Sequence, residues 1–361
     1  MKSLNVMDLD FNLKAIINGY NSAVVERVWN GIGVINVEIN SSVPNANLIT
    51  IDSLIWLGLD TNKVYIVEKI EESFENNVIV YKIEGLALES LLSDFITVPP
   101  MGSGYDVVTN TREYIVRQWV YNNCINYVGR DQYPIVLGTY NTLGSSITEQ
   151  TRYKNLSEEI IRVLYPENLT FKLNLDISNQ QFVFNVYEPV DRTYMGATVT
   201  EKVLFGVRFG NMSTYNRTLN NLQEKNYAYV GGQGEEELRT IVEVSNVTNR
   251  RKEVFVDARD VDTTGELTER GGQNLAELQS IDNLEFEIVE RQYQYETNFD
   301  LGDIVTIVYG QSEYYDRQII RIVETYEKGQ NKVECEFGIT PQTLSKQLRQ
   351  FNSKLTIIST R

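Results

Sequence analysis

A two-residue alternation of apolar and polar side chains is the feature that most constrains how this chain folds. It is clear in residues 34–39 (Val-Ile-Asn-Val-Glu-Ile) and recurs in residues 181–187. Because successive side chains of a strand point to opposite faces, the alternation predicts strands with one buried face. The same pattern, or a short apolar run between turn residues, predicts further strands at residues 63–70, 77–83, 170–175, 226–230, 240–244, 284–289, 303–308, 318–324 and 333–337.

Apolar residues at helical spacing predict a smaller number of helices. Ser157 stands where a capping box would begin, but Ile160 occupies the position that requires Glu, so the box is incomplete. Gly271 and Gly272 disfavour the helix that contains them. The predicted helices are residues 86–92, which follow Gly85, and residues 111–123, 157–164, 267–278 and 343–351.

The predicted elements group into two β-rich blocks that enclose a mixed middle. A chain of 361 residues exceeds one ordinary hydrophobic core, so we expect more than one domain. The fold class predicted is α+β and β-rich. The predicted segments are residues 1–100 (β-rich), 101–200 (mixed α/β), 201–340 (β-rich with inserted α/β elements) and 341–361 (a polar C-terminal helix or tail).

Composition excludes several classes of function. The chain has no histidine, which removes Ser-His-Asp and Cys-His catalysis and His-bearing zinc sites. Its net charge of −16 and its pI near 4.7 argue against a surface that grips nucleic acid. Without a long apolar stretch or an apolar leader, we expect cytoplasmic synthesis and no membrane insertion. Cys124 and Cys335 are expected to be buried thiols rather than a disulfide.

Three local patterns allow both a structural and a chemical interpretation. Residues 231–234 (Gly-Gly-Gln-Gly) fit a turn better than a phosphate-binding loop, because three glutamates follow them. Residues 257–262 lack the Gly and Glu of a calcium loop, so an ion pair of Arg259 fits them better. Acidic pairs such as Glu158-Glu159 serve a hydrolase only across a cleft. We therefore predict no catalytic residue, no metal and no cofactor.

The chain is rich in tyrosine. It has 22 tyrosines, and they suit half-buried strand faces and protein interfaces equally well, because the ring packs while the hydroxyl stays hydrated. The sequence leaves both uses open.

Three segments occur together in an order that resembles a known family. They are residues 225–235 (KNYAYVGGQGE), 253–260 (EVFVDARD) and 298–306 (NFDLGDIVT), and residues 8–11 and 182–187 add to the match. The set resembles siphophage and prophage tail proteins of the hub and tail-associated lysin type. The positions that carry this resemblance as a structural signature are Tyr229, Gly231, Gly232, Gly234, Asp257, Arg259, Asp300, Gly302 and Asp303.

The resemblance implies a phage tail-hub fold, in which residues 1–100 and 201–340 are β-barrel-like domains with mixed α/β domains between and beside them. It implies a homotrimeric structural ring at the virion tail tip, with quasi-equivalent barrels facing a hexameric ring of the distal tail protein. Other implied partners are the C-terminus of the tape-measure protein and a tip fibre or receptor-binding protein, while DNA passes through without specific binding. Longer relatives continue into peptidoglycan-cleaving domains beyond the position of Arg361, so lysin activity is not carried over.

Two other functions stay open at this point, a carbohydrate-binding or adhesion module of the tail tip and a carboxylate-dependent cell-wall hydrolase. Two physical expectations accompany the hub interpretation. Gly302 should adopt positive φ in a turn capped by Asp300 and Asp303. The inner wall of the ring should carry more acidic than basic residues, since an acidic wall repels the phosphates of passing DNA.

Overall fold

The computed structural model of the chain describes residues 2–338, except residues 76, 131, 197–198, 248–249, 290–291, 310–312 and 328–329. Strands dominate this part of the molecule, which contains 21 strands and three α-helices. The β-rich prediction is confirmed. The helix predicted at residues 343–351 and the tail predicted at residues 341–361 lie outside the described residues.

The first β region has seven strands around one core. Alternate side chains of its strands are buried, as in Ile35, Val37 and Ile39, which are at most 2% exposed. The strands pair in an antiparallel ladder, and the second and third predicted strands of this region form its hairpin. They are β1 (Leu4–Met7), β2 (Leu13–Ile17), β3 (Ser22–Val28), β4 (Val34–Asn40), β5 (Leu54–Leu57), β6 (Tyr65–Glu75) and β7 (Val78–Ala87).

The short helix predicted at residues 86–92 is present as a 3-10 helix at Leu88–Asp94, and it begins two residues later than predicted because β7 continues to Ala87. Gly85 lies inside this strand rather than before a helix. A Cβ at Gly85 would lie 2.9 Å from Ile35 Cγ2 and 3.0 Å from the backbone oxygen of Ile66. The glycine therefore allows neighbouring strands to pack closely instead of starting a helix.

The middle of the chain is mixed, as predicted, with two helices and two small sheets. The first helix begins where Thr111 accepts a hydrogen bond from the Tyr114 N–H. The second begins at Leu156, one residue before Ser157, because the Asn155 side chain caps it by accepting from the Glu158 N–H at 3.2 Å. The elements are β8 (Asp106–Thr111), α1 (Arg112–Val120), β9 (Ile135–Leu137), β10 (Ser146–Thr151), α2 (Leu156–Leu164), β11 (Thr170–Asp176) and β12 (Gln181–Tyr187).

The last third of the described chain contains a second β region with an inserted α/β unit. The inserted unit, called the small sheet unit below, consists of three strands and one helix within residues 227–277. The elements of this third are β13 (Leu204–Gly206), β14 (Met212–Asn220), β15 (Tyr227–Gly231), β16 (Ile241–Ser245), β17 (Glu253–Asp257), α3 (Thr264–Glu277), β18 (Ile281–Ile288), β19 (Ile304–Tyr309), β20 (Glu313–Glu327) and β21 (Gln330–Phe337).

The two β regions are joined in one sheet. Strand β3 pairs with β4 on one side and with β20 on the other, from Ser22↔Glu327 to Val28↔Arg321. The resulting order is β14-β18-β21-β20-β3-β4-β7-β6-β5-β1-β2. In addition, β19 pairs with β20, and β13 pairs with β19. The described strands thus form an open path that ends at β14 and β2, and the closed form of the two predicted barrels is not confirmed.

Candidate functional site

The nine candidate signature residues fall into two places. Asp300, Gly302 and Asp303 lie where the first and second β regions meet, which is called the junction below. The other six lie in the small sheet unit, where Gly231 of β15 faces Asp257 of β17 and Tyr229 faces Phe255. The structure therefore separates the signature into two sites, one at the junction and one in the small sheet unit. Whether these positions define the family stays a prediction.

The turn at the junction has the geometry expected of it. Gly302 has φ of +94°, which confirms the positive φ predicted from the sequence. The Asp303 carboxylate accepts from the Asp300 N–H at 2.9 Å, and the Asp300 carboxylate accepts from the Leu301 N–H at 2.7 Å. A Cβ at Gly302 would overlap the ring of Trp29, which comes from the first β region. The glycine is thus needed both for the turn and for contact between the two regions.

A buried network of charges lies beside this turn. Arg27 of β3 donates to the Asp300 carboxylate at 2.6 Å and to the Tyr295 hydroxyl at 2.5 Å. Lys63, which precedes β6, donates to Glu324 of β20 at 2.7 Å. The side chains of Lys63 and Glu324 are only 9% and 4% exposed. Each pair joins one β region to the other, so the network fixes how the regions sit together.

The pKa shifts in this network follow from burial and from the partners. Burial lowers the pKa of Lys63 to about 8, because desolvation outweighs the attraction of Glu324. Burial alone would raise the pKa of Glu324, but the Lys63 ammonium outweighs it and holds that pKa below the ordinary value. Asp300 behaves in the same way, since Arg27 outweighs its burial and lowers its pKa. These carboxylates stay ionised and paired, which suits a structural junction rather than an acid catalyst.

The small sheet unit has one buried face and one exposed face. Its buried face packs on α3, where Gly271 lies so close to the sheet that a Cβ would approach Val244 Cγ2 to 2.6 Å and Val230 Cγ2 to 2.7 Å. The helix predicted at residues 267–278 is confirmed as α3, and the glycine that disfavoured it allows this packing. The core of the unit is small, with six buried residues: Ala228, Val230, Ala258, Val261, Leu267 and Leu275.

The exposed face of the same sheet carries aromatic rings and arginines. Phe255 is 54% exposed and Ile241 is 47% exposed. The Arg251 guanidinium lies 3.5 Å from the centre of the Tyr227 ring and donates to the Tyr229 hydroxyl at 2.7 Å. We call this surface the open face and define it by one set of residues. They are Tyr227, Tyr229, Ile241, Glu243, Arg251, Glu253, Phe255 and Asp257.

A second arginine, Arg239, binds the glycine-rich segment 231–234 next to the open face. Arg239 donates to the backbone oxygens of Gly231 at 2.9 Å and Gly232 at 3.1 Å, and it also contacts the Asp257 carboxylate. Gly234 has φ of +102°, and a Cβ there would meet the backbone of Leu238. The N–H groups of Gly232 and Gln233 donate to the backbone oxygens of Thr240 at 2.8 Å and Val261 at 3.1 Å, so they are not free to hold a phosphate. This favours the turn interpretation of residues 231–234 over a phosphate-binding loop.

Arg259 has a weaker role than the sequence suggested. Its guanidinium lies 3.6 Å from Asp257, and both side chains are more than half exposed. The main partner of Asp257 is Arg239, which sequence reasoning missed together with Arg251. The signal available for Arg251 was its position two residues before a strand whose alternate residues are exposed, in phase with those residues.

Glu71 of the pair Glu71-Glu72 and Glu159 of the pair Glu158-Glu159 have pKa values that are shifted away from that of a catalytic acid. A glycosidase needs one carboxyl of raised pKa facing a second carboxyl across a cleft. The hydrogen bond from Lys69 lowers the pKa of Glu71. Burial would raise the pKa of Glu159, but Arg162 outweighs it and lowers that pKa. Within the described ranges, no group of three or more His, Cys, Asp or Glu residues could hold a metal ion.

Comparison with known proteins gives one family and a consistent fold. The family model for Siphovirus ReqiPepy6 Gp37-like proteins matches residues 3–339. No curated protein sequence matches the chain significantly. In the part of the chain that the structure describes, no helix is long and apolar enough to cross a membrane.

Solved tail proteins of prophages share this fold at low sequence identity. The 43 kDa tail protein of prophage MuSo2 from Shewanella oneidensis is 12% identical, with a TM-score of 0.61 over 95% of this chain and 100% of that one. Prophage tail protein gp18 from Listeria monocytogenes EGD-e is 12% identical, with a TM-score of 0.58 over 98% and 99%. The tail protein from Neisseria meningitidis MC58 is 10% identical, with a TM-score of 0.55 over 94% and 98%.

Proposed function

Because this chain belongs to the family of Siphovirus ReqiPepy6 Gp37-like proteins, we propose that it is a structural, non-enzymatic subunit of a phage tail. The likeness of its fold to prophage tail proteins over almost their whole length supports this proposal. The proposed position is the distal tip of the virion tail. There, three copies form a ring that closes or continues the tail tube and anchors the tip proteins.

The observation that carries this proposal is the single sheet that joins the two β regions. Pairing of β3 with β20, together with the Arg27–Asp300 and Lys63–Glu324 pairs, holds two β-rich units side by side in one subunit. If each unit is barrel-like, three subunits present six similar faces. Six faces match a hexameric ring of the distal tail protein, which we propose as the neighbour along the tail.

Two further partners belong to the same proposal. The C-terminus of the tape-measure protein would lie at the ring before ejection, and a tip fibre or receptor-binding protein would attach on the distal side. DNA would pass through the ring without specific binding. The net charge of −16 per subunit supports an inner wall richer in acidic than in basic residues, because such a wall repels phosphates at close range.

Electron cryomicroscopy of the assembled full chain tests the position of these charges. The expected result is a ring of three subunits whose lumen is lined by more Asp and Glu than Lys and Arg. The interfaces between subunits should bury aromatic and aliphatic side chains, as obligate interfaces do. A lumen lined by basic residues, or particles without a ring, would contradict the proposed hub.

A direct assay tests the absence of catalysis. The purified chain is incubated with peptidoglycan, and released fragments are analysed by mass spectrometry. We expect no cleavage of specific bonds, because Lys69 and Arg162 hold the pKa values of Glu71 and Glu159 below the ordinary value, whereas a catalytic acid needs a raised pKa. Specific cleavage that one Glu→Gln substitution abolishes would make the protein a carboxylate-dependent hydrolase instead.

A further inference from the structure

The open face is an aromatic and charged surface that the described part of the chain leaves uncovered. Phe255 and Ile241 are about half exposed, and Tyr227 and Tyr229 lie beside them with ring centres 5.3 Å apart. Tyr and Arg side chains are enriched where proteins bind one another, because they bury much area while keeping polar contacts. The Arg251 guanidinium already covers the Tyr227 ring, which leaves less stacking surface for a flat ligand such as a sugar.

The occupant that best fits this surface is the last part of the same chain. Residues 339–361 contain no acidic residue, although the whole chain carries a net charge of −16. Their four basic residues are Lys346, Arg349, Lys354 and Arg361. Large apolar residues recur in the same segment at intervals of four, three and four, the spacing of one apolar stripe: Leu344, Leu348, Phe351 and Leu355.

The surroundings of the open face have the opposite charge. The face itself contains three exposed acids, Glu243, Glu253 and Asp257, and the neighbouring loop adds Glu235, Glu236 and Glu237, which are also exposed. Arg239, Arg251 and Arg259 neutralise part of this charge. A basic segment with an apolar stripe therefore complements, in charge and in apolar character, an aromatic surface surrounded by carboxylates.

The described chain ends close to the C-terminal end of α3, the helix of the small sheet unit. Gly338 lines the same cavity as Ala276 and Gln279, which lie at the end of α3. The end of this helix is also where β15 begins, since the Lys225 N–H donates to the Leu278 oxygen at 2.8 Å. The 23 residues that follow Gly338 span up to about 80 Å if extended and about 35 Å if helical. Both lengths exceed the roughly 17 Å of a five-residue strand such as β15.

We propose that residues 340–361 dock on the open face of their own chain. Apolar residues of the segment contact Phe255 and Ile241, while its basic residues pair with the acids around the face. Docking within one chain is favoured because a linked segment acts at a high effective concentration. The proposal does not depend on the tail-tip hub, because it concerns a contact within one subunit.

Limited trypsin digestion of the full chain tests this docking. Lys346, Arg349 and Lys354 are cleavage sites inside the segment, and their rates follow the fraction of time that the segment is undocked. We expect cleavage at Lys346 and Arg349 to be about tenfold faster in Phe255→Ser and Tyr229→Ser than in the wild type. Leu59→Ser is the matched control, since Leu59 is 97% exposed but lies in the first β region, and its rates should equal those of the wild type.

Hydrogen exchange gives a second readout in case a face variant unfolds the small sheet unit. In the full chain with Leu348→Ser and Phe351→Ser, which leave the unit itself intact, amides of β16 and β17 should exchange faster than in the wild type. Wild-type cleavage as fast as in a free peptide of residues 340–361 would overturn the proposal and leave the face to a foreign partner. Protection that disappears on dilution would overturn docking within one chain in favour of a neighbouring copy. Docking within one chain protects the segment equally in a monomer and in a trimer, so failure of this proposal is distinguishable from failure of the proposed ring.

Discussion

The junction and the open face use the same kinds of side chain in opposite ways. At the junction, Arg27 and Lys63 are buried, and their acidic partners come from a distant part of the sequence. On the open face, Arg251 is exposed, and its partners Tyr227, Tyr229 and Glu253 belong to its own small sheet unit. Buried pairs that join distant strands hold a framework, whereas exposed rings and charges remain available to a partner. Changes at the junction should therefore alter stability, and changes on the open face should alter binding.

The largest expected effect tests the junction at its turn. Gly302→Val adds a β-branched side chain at φ of +94° and forces it into the Trp29 ring. Backbone strain and overpacking each cost about 1–3 kcal/mol, so the free energy of unfolding should fall by about 4 kcal/mol. Gly102→Ala is the control, because Gly102 has φ of +86° with nothing within 4 Å, and it should lose only the strain. Equal losses in urea unfolding would show that contact with Trp29 is unimportant.

Removal of one buried charge should have the next largest effect. Lys63→Met leaves Glu324 buried without its main cation, and such losses cost about 3 kcal/mol of unfolding free energy. The matched control is Lys69→Met, which breaks the surface pair with Glu71, where both side chains are more than half exposed. That control should change stability by less than about 0.5 kcal/mol. Similar melting temperatures for the two variants would remove the distinction between the junction and the surface.

Gly271 and Gly272, which are adjacent in α3, provide a matched pair of variants for the small sheet unit. Gly271→Ala pushes α3 away from Val230 and Val244, and should destabilise this unit by about 2 kcal/mol. Gly272→Ala meets open space in the same helix and should stabilise it by up to about 1 kcal/mol. Hydrogen exchange of β15–β17 measures both effects, while amides of β3 and β20 should stay unchanged in either variant. Changes in β3 and β20 that match those in β15–β17 would show that the unit and the framework unfold together.

The smallest expected effect is a dependence of stability on pH at the junction. Burial lowers the pKa of Lys63 to about 8, against an ordinary value of 10.5, so the unfolded chain holds a proton that the folded chain releases between these values. The free energy of unfolding therefore rises as pH increases from about 8 to 10.5, and this gain is lost as pH falls through 8. From pH 8 to 9 the wild type should gain at most about 1 kcal/mol relative to Lys63→Met. If the difference in unfolding free energy between the wild type and Lys63→Met, measured with urea, is the same at pH 8 and pH 9, the lowered pKa of Lys63 is contradicted.

Local patterns predicted much of the secondary structure. The alternation in residues 181–187 gave strand β12 with the same bounds, and residues 267–278 gave α3 within three residues. The errors occurred where long-range packing overrode local preference. Gly85 looked like a helix boundary, but its neighbours across the sheet, Ile35 and Ile66, explain it. Such contacts are invisible in a single sequence, since they join residues far apart in the chain.

The candidate site was predictable only in part, for the same reason. Gly302, Asp300 and Asp303 form a local turn, and the sequence indicated their roles. Arg27 contacts Asp300 across 273 residues of sequence, so no local pattern pointed to it. The pairing of β3 with β20 is equally remote, and it explains why two blocks expected as separate domains share one sheet.

The central claim, that this chain is a ring-forming structural subunit, is tested most directly by its mass in solution. Size-exclusion chromatography of the full chain with light scattering measures that mass without a standard. The account predicts a particle of about three times the subunit mass of 41.5 kDa. A mass of one subunit that persists at micromolar concentration would contradict it.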